Sequence, residues 1–409
     1  MITPHLDRVG QAIAQLPSGW RVAPLGKLCS FLDSRRIPVN DIERKRRIAG
    51  KPQADLFPYY GANGQVGWID DYIFDEPLIL LAEDGGNFGS EDKPIAYSVS
   101  GRYWVNNHAH VLRPNQGIDF DYLLHALRIR PDLMPLVSGS TRDKLNQELA
   151  AIIPVPLPPT LADQKRIATI LNDQMAAVEK ACLAAEARLA AARALPAAII
   201  QTAFNNNIGS YPKGQLGKCV TKIGSGITPS GGQSVYQKSG IPLIRSQNVH
   251  LNQFVGEGLA YVSKEMDVEM EGSRVYSGDV LLNITGASIG RVCVVPSAMC
   301  PANVNQHVSI IRCTTELVPD FLSFYLSTPQ FQKLIMNSQA GATRQALTKL
   351  IIENFEIPIP PLDKQLHLVK MLNKQLEFTD TIIHKLENEL MTIGSLPAAI
   401  MRLAFTGGM

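Results

Sequence analysis

Apolar residues recur at alternating four- and three-residue intervals in two stretches of the chain, beginning at Leu171 and at Leu372. Such an alternation places these side chains on one face of a helix and is typical of the seam of a coiled coil. The predicted seam residues are Leu171, Met175, Val178, Cys182, Ala185, Leu189 and Ala192 in the first stretch, and Leu372, Leu376, Thr379, Ile383, Leu386, Leu390 and Ile393 in the second.

The first stretch also has the composition of a strong helix former. Residues 161–194 contain no proline or glycine, and at 1.5 Å per residue this helix would be about 50 Å long. Its seam carries mostly small side chains, whereas the second seam is rich in leucine and isoleucine. Because the seams are complementary in volume, we predict that the two helices pack on each other antiparallel. The alternative is that each helix lies on its own globular domain.

Both helical stretches belong to an internal repeat, which indicates two copies of one structural unit. Before each helix lies a proline-rich entry, which is predicted to be extended because proline fixes φ. The matched segments are 195–199 (Leu-Pro-Ala-Ala-Ile) with 396–400, Ala203-Phe204 with Ala404-Phe405, Gln164 with Gln365, and the entries 153–159 with 357–361.

Upstream of the helices the two copies diverge more, with small insertions. The matches there are Leu25-Gly26-Lys27 with Leu216-Gly217-Lys218, Leu80-Leu81 with Leu281-Leu282, Gly85 and Gly89 with Gly286 and Gly290, Asn106 and His110 with Asn303 and His307, 139–142 with 341–344, and Leu145 with Leu347. Similar helices beside divergent globular parts indicate a shared scaffold that carries two different binding surfaces.

These patterns predict an α+β fold with a pseudo-twofold internal repeat, in which two mixed α/β domains are separated by two long helices forming an antiparallel coiled coil. The predicted segments are 1–152 for the first globular domain, 153–208 for the proline-rich entry and first long helix, 209–356 for the second globular domain, and 357–409 for the second long-helix region.

Composition excludes some classes of protein. No apolar run approaches the ~20 residues that cross a bilayer, so we expect a cytoplasmic protein with no membrane contact. The net charge of +2 does not by itself indicate a nucleic-acid partner. The six cysteines show no CxxC pair, which favours free thiols. We expect no metal site, although Cys293, Cys300, His307 and Cys313 lie near one another in sequence.

Long polar loops between the predicted strands carry side chains suited to DNA. Arginine forks to guanine, Asn or Gln pairs with adenine, and hydroxyl and backbone N–H groups approach phosphates. Such loops are also common as ordinary turns, and the basic run 43–47 is equally consistent with a solvated loop. The candidate DNA contacts are Arg35, Arg36, Arg44, Lys45, Arg46, Tyr60, Asn63 and Arg142 in the first domain, and Ser225, Thr228, Ser230, Arg245, Gln247, Asn248 and Arg344 in the second.

The chain from Trp20 to Gly407 resembles the specificity subunit of type I restriction-modification enzymes. The residues that carry the resemblance are the Ile-Pro-rich entries with Gln164 and Gln365, the two Leu-Pro-Ala-Ala-Ile segments, and the segments 60–64, 226–230 and 240–244.

The resemblance implies that each globular domain, as a target-recognition domain, reads one half of a bipartite site in double-stranded DNA. It implies that the coiled coil sets the spacer and docks two modification subunits, which carry the adenine methyltransferase activity. Restriction subunits with ATP-driven translocase and nuclease activity would join them. S-adenosylmethionine, ATP and Mg²⁺ are expected in those partners, with no cofactor in this chain.

We expect no catalytic residue here. The sequence lacks a GxxxxGK[ST] loop and a methyltransferase Asn/Asp-Pro-Pro-aromatic motif. Asp84 followed by 91–93 (Glu-Asp-Lys) resembles an Mg²⁺-binding nuclease motif, but Thr285 stands at the matching position of the other copy. His110 and His307 are interpreted as hydrogen-bonded core residues, with DNA contact as the alternative. The remaining alternatives are a non-catalytic protein-binding scaffold and a nuclease in its own right.

Overall fold

The computed structural model describes residues 16–139, 141–208, 210–229, 231–337 and 346–406. Within them the chain forms two compact units. Unit 1 contains the residues up to 187 together with those from 387 onward, and unit 2 contains 188–386. Each unit therefore includes parts of both long helices. The segment boundaries stated above treat the helices as separate segments and remain a prediction.

Unit 1 contains two four-stranded sheets and one two-stranded sheet among its described residues. Its strands are β1 (Arg21–Pro24), β2 (Cys29–Phe31), β3 (Phe57–Gly61), β4 (Gly64–Ile69), β5 (Phe74–Asp75), β6 (Leu78–Ala82), β7 (Ala96–Val99), β8 (Arg102–Val105), β9 (Ala109–Pro114) and β10 (Pro154–Leu157). Its short helices are α1 (Asp41–Ile48), α2 (Phe120–Arg128) and α3 (Gln147–Ala151), followed by the first long helix, α4 (Leu161–Asn207), which continues into unit 2.

The strand order in unit 1 is β2-β9-β6-β7 in the first sheet and β4-β3-β8-β5 in the second. Every pairing in the first sheet is antiparallel, whereas β3 and β8 in the second run parallel. The strands β1 and β10 pair antiparallel at the entry to α4. Strand β6 is buried along its whole length, because alternate residues enter two different apolar clusters.

Unit 2 repeats this arrangement with different insertions. Its strands are β11 (Lys213–Gln215), β12 (Val220–Ser225), β13 (Ile241–Ile244), β14 (Val249–His250), β15 (Gln253–Phe254), β16 (Ala260–Val262), β17 (Arg274–Val275), β18 (Val280–Asn283), β19 (Val292–Val294), β20 (Ala302–Val304), β21 (Val308–Cys313) and β22 (Glu356–Pro358). Its helices are α5 (Lys264–Glu269), α6 (Pro319–Ser327), α7 (Pro329–Asn337), α8 (Lys349–Glu353) and the second long helix, α9 (Leu362–Thr406).

The sheets of unit 2 have the orders β12-β21-β18-β19 and β16-β13-β20-β17, with β13 and β20 parallel and β11 paired to β22. Each strand of these three sheets has a counterpart in unit 1 with the same neighbours. This agreement confirms the internal repeat and the mixed α+β fold. The hairpin β14-β15 and the helix α5 occur in unit 2, whereas the basic helix α1 occurs in unit 1.

Both long helices extend beyond the point at which the sequence pattern ends. Helix α4 has 47 residues, so it is about 70 Å long rather than about 50 Å. It continues through Pro196, and α9 continues through Pro397. A proline in a helix removes one backbone hydrogen bond. The residues that follow Pro196 compensate for this loss, because Ile200, Ala203 and Phe204 are buried in the apolar core of unit 2.

The predicted seams are the least exposed faces of both helices. In α4, Leu171, Val178, Ala185, Leu189 and Ala192 are buried, and the seam residues Met175 and Cys182 are half-buried. In α9, the buried seam residues are Leu372 and Thr379, and those that are half-buried are Leu376, Ile383, Leu386, Leu390 and Ile393.

The helices run antiparallel in both units. In unit 1, Met401 and Ala404 near the end of α9 share a core with Leu171 near the start of α4. In unit 2, Phe204 near the end of α4 shares a core with Leu368 near the start of α9. The start of each helix also packs on the globular part of its own unit. The two arrangements considered from the sequence thus occur along different parts of the same helices.

Candidate nucleic-acid interface

Two of the predicted DNA contacts in unit 1, Asn63 and Arg142, meet at Gly85. Asn63 lies in the turn between β3 and β4, and its Nδ2 donates to the Gly85 carbonyl O at 3.0 Å. The aliphatic part of Arg142 packs on the same glycine, with Cδ 3.3 Å from the position that a Cβ on Gly85 would occupy. Gly85 has a φ of +67° and donates its N–H to the Asp143 carbonyl O at 2.8 Å. Both polar side chains are exposed, so they form one polar surface.

Tyr60, also predicted to contact DNA, belongs to an aromatic cluster under this surface. Its ring centroid lies 6.0 Å from that of Tyr97 and 5.8 Å from that of Tyr103. The Tyr97 hydroxyl donates to the Gly61 carbonyl O at 2.5 Å. The half-buried Tyr60 therefore supports the β3–β4 turn that carries Asn63.

A network of buried charges holds the loop that carries Arg142. His110 Nδ1 lies 2.6 Å from Asp33 Oδ2, and His110 Nε2 lies 2.8 Å from the Leu145 carbonyl O. A carboxylate only accepts hydrogen bonds, so His110 binds Asp33 through its Nδ1–H. Lys144 Nζ lies 3.3 Å from Glu83 Oε1. The loop is thus attached to His110 in β9 and to Glu83, which directly follows β6.

Arg36 is the central cation of this network. Its Nη1 donates to Glu83 Oε2 and to the Ala109 carbonyl O, both at 2.7 Å, and its side chain is only 13% exposed. Burial raises the pKa of Asp33, but hydrogen bonds from His110 and Val111 and the charge of Arg36 outweigh this effect and hold it below its usual value. Arg36 therefore has a structural position, although the sequence suggested a DNA contact.

Asp33, Glu83 and His110 could hold a metal ion by residue type, since their ligand atoms lie within 4.8 Å of one another. The same carboxylates already accept from Arg36, His110 and Lys144. Asp84, the first acid of the nuclease alternative, lies 3.5 Å from Lys144 Nζ and 3.4 Å from His108 Nδ1. These acids are balanced by protein cations, as in a structural charge network.

The basic helix α1 divides its arginines between two faces. The guanidinium of Arg44 lies 5.2 Å from the ring centroid of Tyr59, and that of Arg47 lies 5.0 Å from the ring of Trp104. Lys45 is exposed, and Arg46 is 77% exposed while pairing with Glu43 at 2.8 Å. The structure leaves Lys45 and Arg46 available for a ligand and uses Arg44 to pack α1 on its sheet.

The exposed fraction of the Arg35 side chain lies between that of Arg44 and that of Arg46. Its side chain is 45% exposed and lies 3.4 Å from Glu76 Oε1. The guanidinium also lies 4.7 Å from the ring centroid of Phe74. Arg35 therefore reaches the surface but is held in place by an ion pair and an aromatic contact.

In unit 2, Ser225 and Thr228 are exposed near the end of β12, and Thr228 Oγ1 donates to Gln306 Oε1. Arg245 and Gln247 both donate to the Gly258 carbonyl O, at 2.6 and 3.2 Å. Ser230 and Arg344 lie outside the described residues.

Asn248 differs from its neighbours because it is completely buried. Its Oδ1 accepts from the Arg245 N–H at 3.0 Å, and its Nδ2 donates to the Val255 carbonyl O at 2.9 Å. These bonds shape the loop that presents Arg245 and Gln247. Asn248 is therefore part of the support for this surface.

The match of Asn106 and His110 with Asn303 and His307 is wrong. The side chain of Asn106 accepts from the His108 N–H, and the side chain of Asn305 accepts from the His307 N–H. The repeated motif is therefore Asn-x-His, which could have been found from the sequence. His110 instead corresponds to Ser309, because these residues pair with Leu81 and Leu282 in equivalent strands.

The charge network of unit 1 has no ionisable counterpart in unit 2 at the equivalent described positions. Strand register and loop hydrogen bonds place Ser225, Ile284, Ser309 and Ala346 where unit 1 has Asp33, Glu83, His110 and Lys144. His307 Nδ1 in unit 2 lies 2.6 Å from Thr285 Oγ1. The two candidate surfaces are thus supported by different chemistry on the same backbone frame.

All six cysteines are free thiols.

The chain is similar to known proteins over most of its length. A family model described as type I restriction modification DNA specificity domain matches residues 17–185 and again 220–392. A putative type I restriction enzyme specificity subunit from Haemophilus influenzae is 26% identical, over 88% of each chain. The EcoKI specificity subunit of Escherichia coli is 22% identical, over 96% of this chain and 90% of the relative.

Another relative, the EcoBI specificity subunit of Escherichia coli, is 30% identical over 42% of this chain and 36% of the relative. Among solved structures, a chain from a study of complex assembly in the type I R-M system matches with a TM-score of 0.69 and 17% identity, covering 96% of this chain and 99% of that one. The HsdS subunit from Thermoanaerobacter tengcongensis matches with a TM-score of 0.56 and 18% identity, covering 96% and 98%.

Among the described residues, no helix combines the length and the apolar character needed to span a membrane. The family model matches once in the N-terminal half of the chain and once in the C-terminal half, as the repeated sheet order requires. The chain therefore belongs to the type I restriction-modification DNA specificity family and carries two copies of its specificity domain.

Proposed function

We propose that this chain selects the DNA sequence for a type I restriction-modification complex, with each unit reading one half of a bipartite site. The observation that carries this proposal is the same strand order in both units beneath different exposed polar side chains. A common frame with two different surfaces is suited to reading two different half-sites. The family to which the chain belongs supports the same function.

In unit 1 we assign base reading to the surface formed by Asn63 and Arg142. An amide and a guanidinium side by side match the acceptor and donor groups of purine edges in the major groove. In unit 2 the corresponding contacts are assigned to Thr228, Arg245 and Gln247. Ser225, Ser230 and Arg344 remain candidates for this second surface.

Phosphate contact is assigned to the exposed cations of unit 1. Lys45 and Arg46 lie on the outer face of α1. Arg35, which precedes α1 in the sequence, also has an exposed side chain. Contacts of this kind strengthen binding to any sequence and position the protein on the duplex. The support role of Arg36, Arg44, Tyr60 and Asn248 then maintains the reading surfaces without direct base contact.

The long helices are proposed to set the spacer between the half-sites and to dock two modification subunits. The supporting observation is their antiparallel pairing. In each unit the start of one long helix packs against the end of the other, so both units have a similar pair of helix ends. Methylation, translocation and cleavage, with S-adenosylmethionine, ATP and Mg²⁺, are assigned to the modification and restriction subunits. This chain is proposed to be non-catalytic and to act in the cytoplasm.

Exchange of one recognition domain tests this function. Residues 20–150 are replaced by the corresponding segment of a relative with another target, the chain is reconstituted with modification subunits, and methylated adenines are mapped on genomic DNA. The expected result is a gapped two-part motif in which one half changes and the other is kept. Methylation without sequence preference would support the protein-binding scaffold instead.

Substitution of Arg142 by alanine is expected to relax selectivity in one half-site. A good bidentate contact to a base contributes about 1–3 kcal/mol of discrimination, so preference at one base pair should fall by about 5- to 150-fold. The measurement is methylation of a DNA library randomised at each half-site in turn.

Arg46→Ala is the matched control, because Arg46 is an exposed arginine assigned to phosphate. This variant should weaken binding equally for all sequences and reduce its salt dependence. A uniform loss for Arg142→Ala as well would remove Arg142 from the base-reading surface.

A further inference from the structure

Each long helix is joined to its own globular domain by a buried glutamine, Gln164 in unit 1 and Gln365 in unit 2. Gln164 is 5% exposed and Gln365 is fully buried. The two residues occupy the same position, in the first turn of α4 and of α9. The internal repeat matches the two glutamines but does not by itself indicate what they do.

In unit 1 the glutamine bonds to the backbone that leads into the short helix α2. The Asp119 N–H donates to Gln164 Oε1 at 2.9 Å, and Gln164 Nε2 donates to the Gly117 carbonyl O at 3.4 Å. Asp119 is the residue that caps α2, since its side chain accepts from the Tyr122 N–H at 3.0 Å. The amide therefore pairs with both sides of the turn that starts α2.

Unit 2 contains the same joint at the start of α6. The Val318 N–H donates to Gln365 Oε1 at 2.9 Å, and Gln365 Nε2 donates to the carbonyl oxygens of Glu316 and Pro360, both at 2.9 Å. Nearby contacts differ between the units. In unit 1, His125 Nε2 lies 2.7 Å from Asn172 Oδ1 on α4, whereas Phe324 in α6 has no polar group at the matching position.

The hydrogen bonds of each glutamine restrain the rotation of the globular domain about the long helix, in addition to stabilising the contact. A side-chain amide that donates to one backbone group of a turn and accepts from another fixes both the distance and the tilt of that turn relative to the helix. Burial makes each bond costly to leave unmade, since a buried donor or acceptor without a partner has also lost its hydrogen bonds to water. Apolar packing of Leu171 or Leu372 against the same domains allows small sliding motions more readily.

We infer that Gln164 and Gln365 are positioning residues that fix the angle of each recognition domain on its long helix and so restrict the spacer length that the complex accepts. This inference rests on the proposed spacer function of the helices. Reading of base edges requires a geometry held within about 0.5 Å and 10–20°. A looser joint should therefore let one domain reach a half-site displaced by one base pair.

The test uses the full chain reconstituted with modification subunits and a DNA library with constant half-sites and spacers from two base pairs shorter to two longer than the preferred length. Wild-type protein should methylate one spacer length. Gln164→Leu removes both hydrogen bonds, so methylation of the neighbouring lengths relative to the preferred one should rise about 30-fold, the equivalent of two lost hydrogen bonds. Base preference within each half-site should not change.

Gln365→Leu should show the same effect from the other domain. Gln164→Glu keeps an acceptor for Asp119 and loses the donor to Gly117, so it should broaden spacer selectivity and provides the readout if the leucine variant does not fold. Gln174→Leu is the control on the same helix, because Gln174 Oε1 has no hydrogen-bond partner among the described residues. It should retain the wild-type spacer profile.

Two results would overturn the inference and separate it from the proposed function. A lower melting temperature with an unchanged spacer profile in the glutamine variants means that the joint is merely structural, and the spacer function stands. Equal methylation of all spacer lengths by the wild-type complex removes the spacer function itself, and this inference with it.

Discussion

Alanine at position 226 is expected to lower the free energy of unfolding of unit 2 by about 3 kcal/mol or more, at the upper end of the usual cost of overpacking. Gly226 directly follows β12 and is buried. A Cβ added there would lie 1.7 Å from the Val304 carbonyl O and 2.4 Å from its carbonyl carbon. Both are backbone atoms of β20, so no side-chain rotation relieves the overlap and a strand has to move. Chemical denaturation followed by circular dichroism measures the loss.

Gly224→Ala is the matched control, two residues earlier in β12. A Cβ at position 224 meets no atom within 4 Å, so this variant should change the unfolding free energy by no more than about 0.5–1 kcal/mol, in either direction. Equal midpoints for the two variants would contradict the packing explanation. The expected difference explains why the segment 226–230 begins with glycine, although its exposed residues Ile227 and Thr228 suggest a loop free to vary.

Removal of residues 182–188 together with 384–390 is expected to shorten the preferred DNA spacer by about three base pairs, because seven helical residues rise about 10 Å and B-DNA rises ~3.4 Å per base pair. Leu171 shares a core with Met401, and Phe204 shares a core with Leu368. Continuing this antiparallel register places the two deleted heptads opposite each other. Both seams then keep their 4-3 alternation. Methylated motifs on genomic DNA report the new spacer.

Deletion of residues 182–188 alone is the control for register. It shifts the seam of α4 relative to that of α9 by one heptad, so the apolar pairs at the helix ends no longer meet. This variant should lose thermal stability and assembly with modification subunits. An unchanged spacer in the double deletion would refute the role of the helices in setting it.

The helices were predictable because their apolar periodicity is a local pattern, and the repeat was predictable because several segments match residue for residue. Seam residues such as Val178 and Leu189 recur at fixed intervals, and burial follows that interval. The helix end was not predictable in the same way, since Pro196 is a local stop signal. The burial of Phe204 beyond it depends on residues far away in sequence. Tertiary packing thus extended the helix past its local limit.

The sequence could not predict which polar residues of the first reading surface are free to contact DNA. Arg35 and Arg36 are adjacent and chemically identical, yet one reaches the surface and the other is enclosed by a network. The difference comes from Glu83, which lies 47 residues away and accepts from Arg36. Loop composition identified a region with suitable chemistry, and the partners of each side chain determined which residues remain free for DNA.

The charge network beneath the first reading surface also affects how that surface can evolve. Removing one member of a buried ion pair leaves an uncompensated charge and costs about 3–5 kcal/mol, whereas removal of the whole set can be neutral. Asp33, Arg36, Glu83 and His110 are therefore expected to change together rather than singly. The residues at the positions of Asp33, Glu83 and His110 in unit 2 are uncharged, so each of them is free of this constraint. New target sequences should then arise by gradual substitution in the second domain and by exchange of the entire domain in the first.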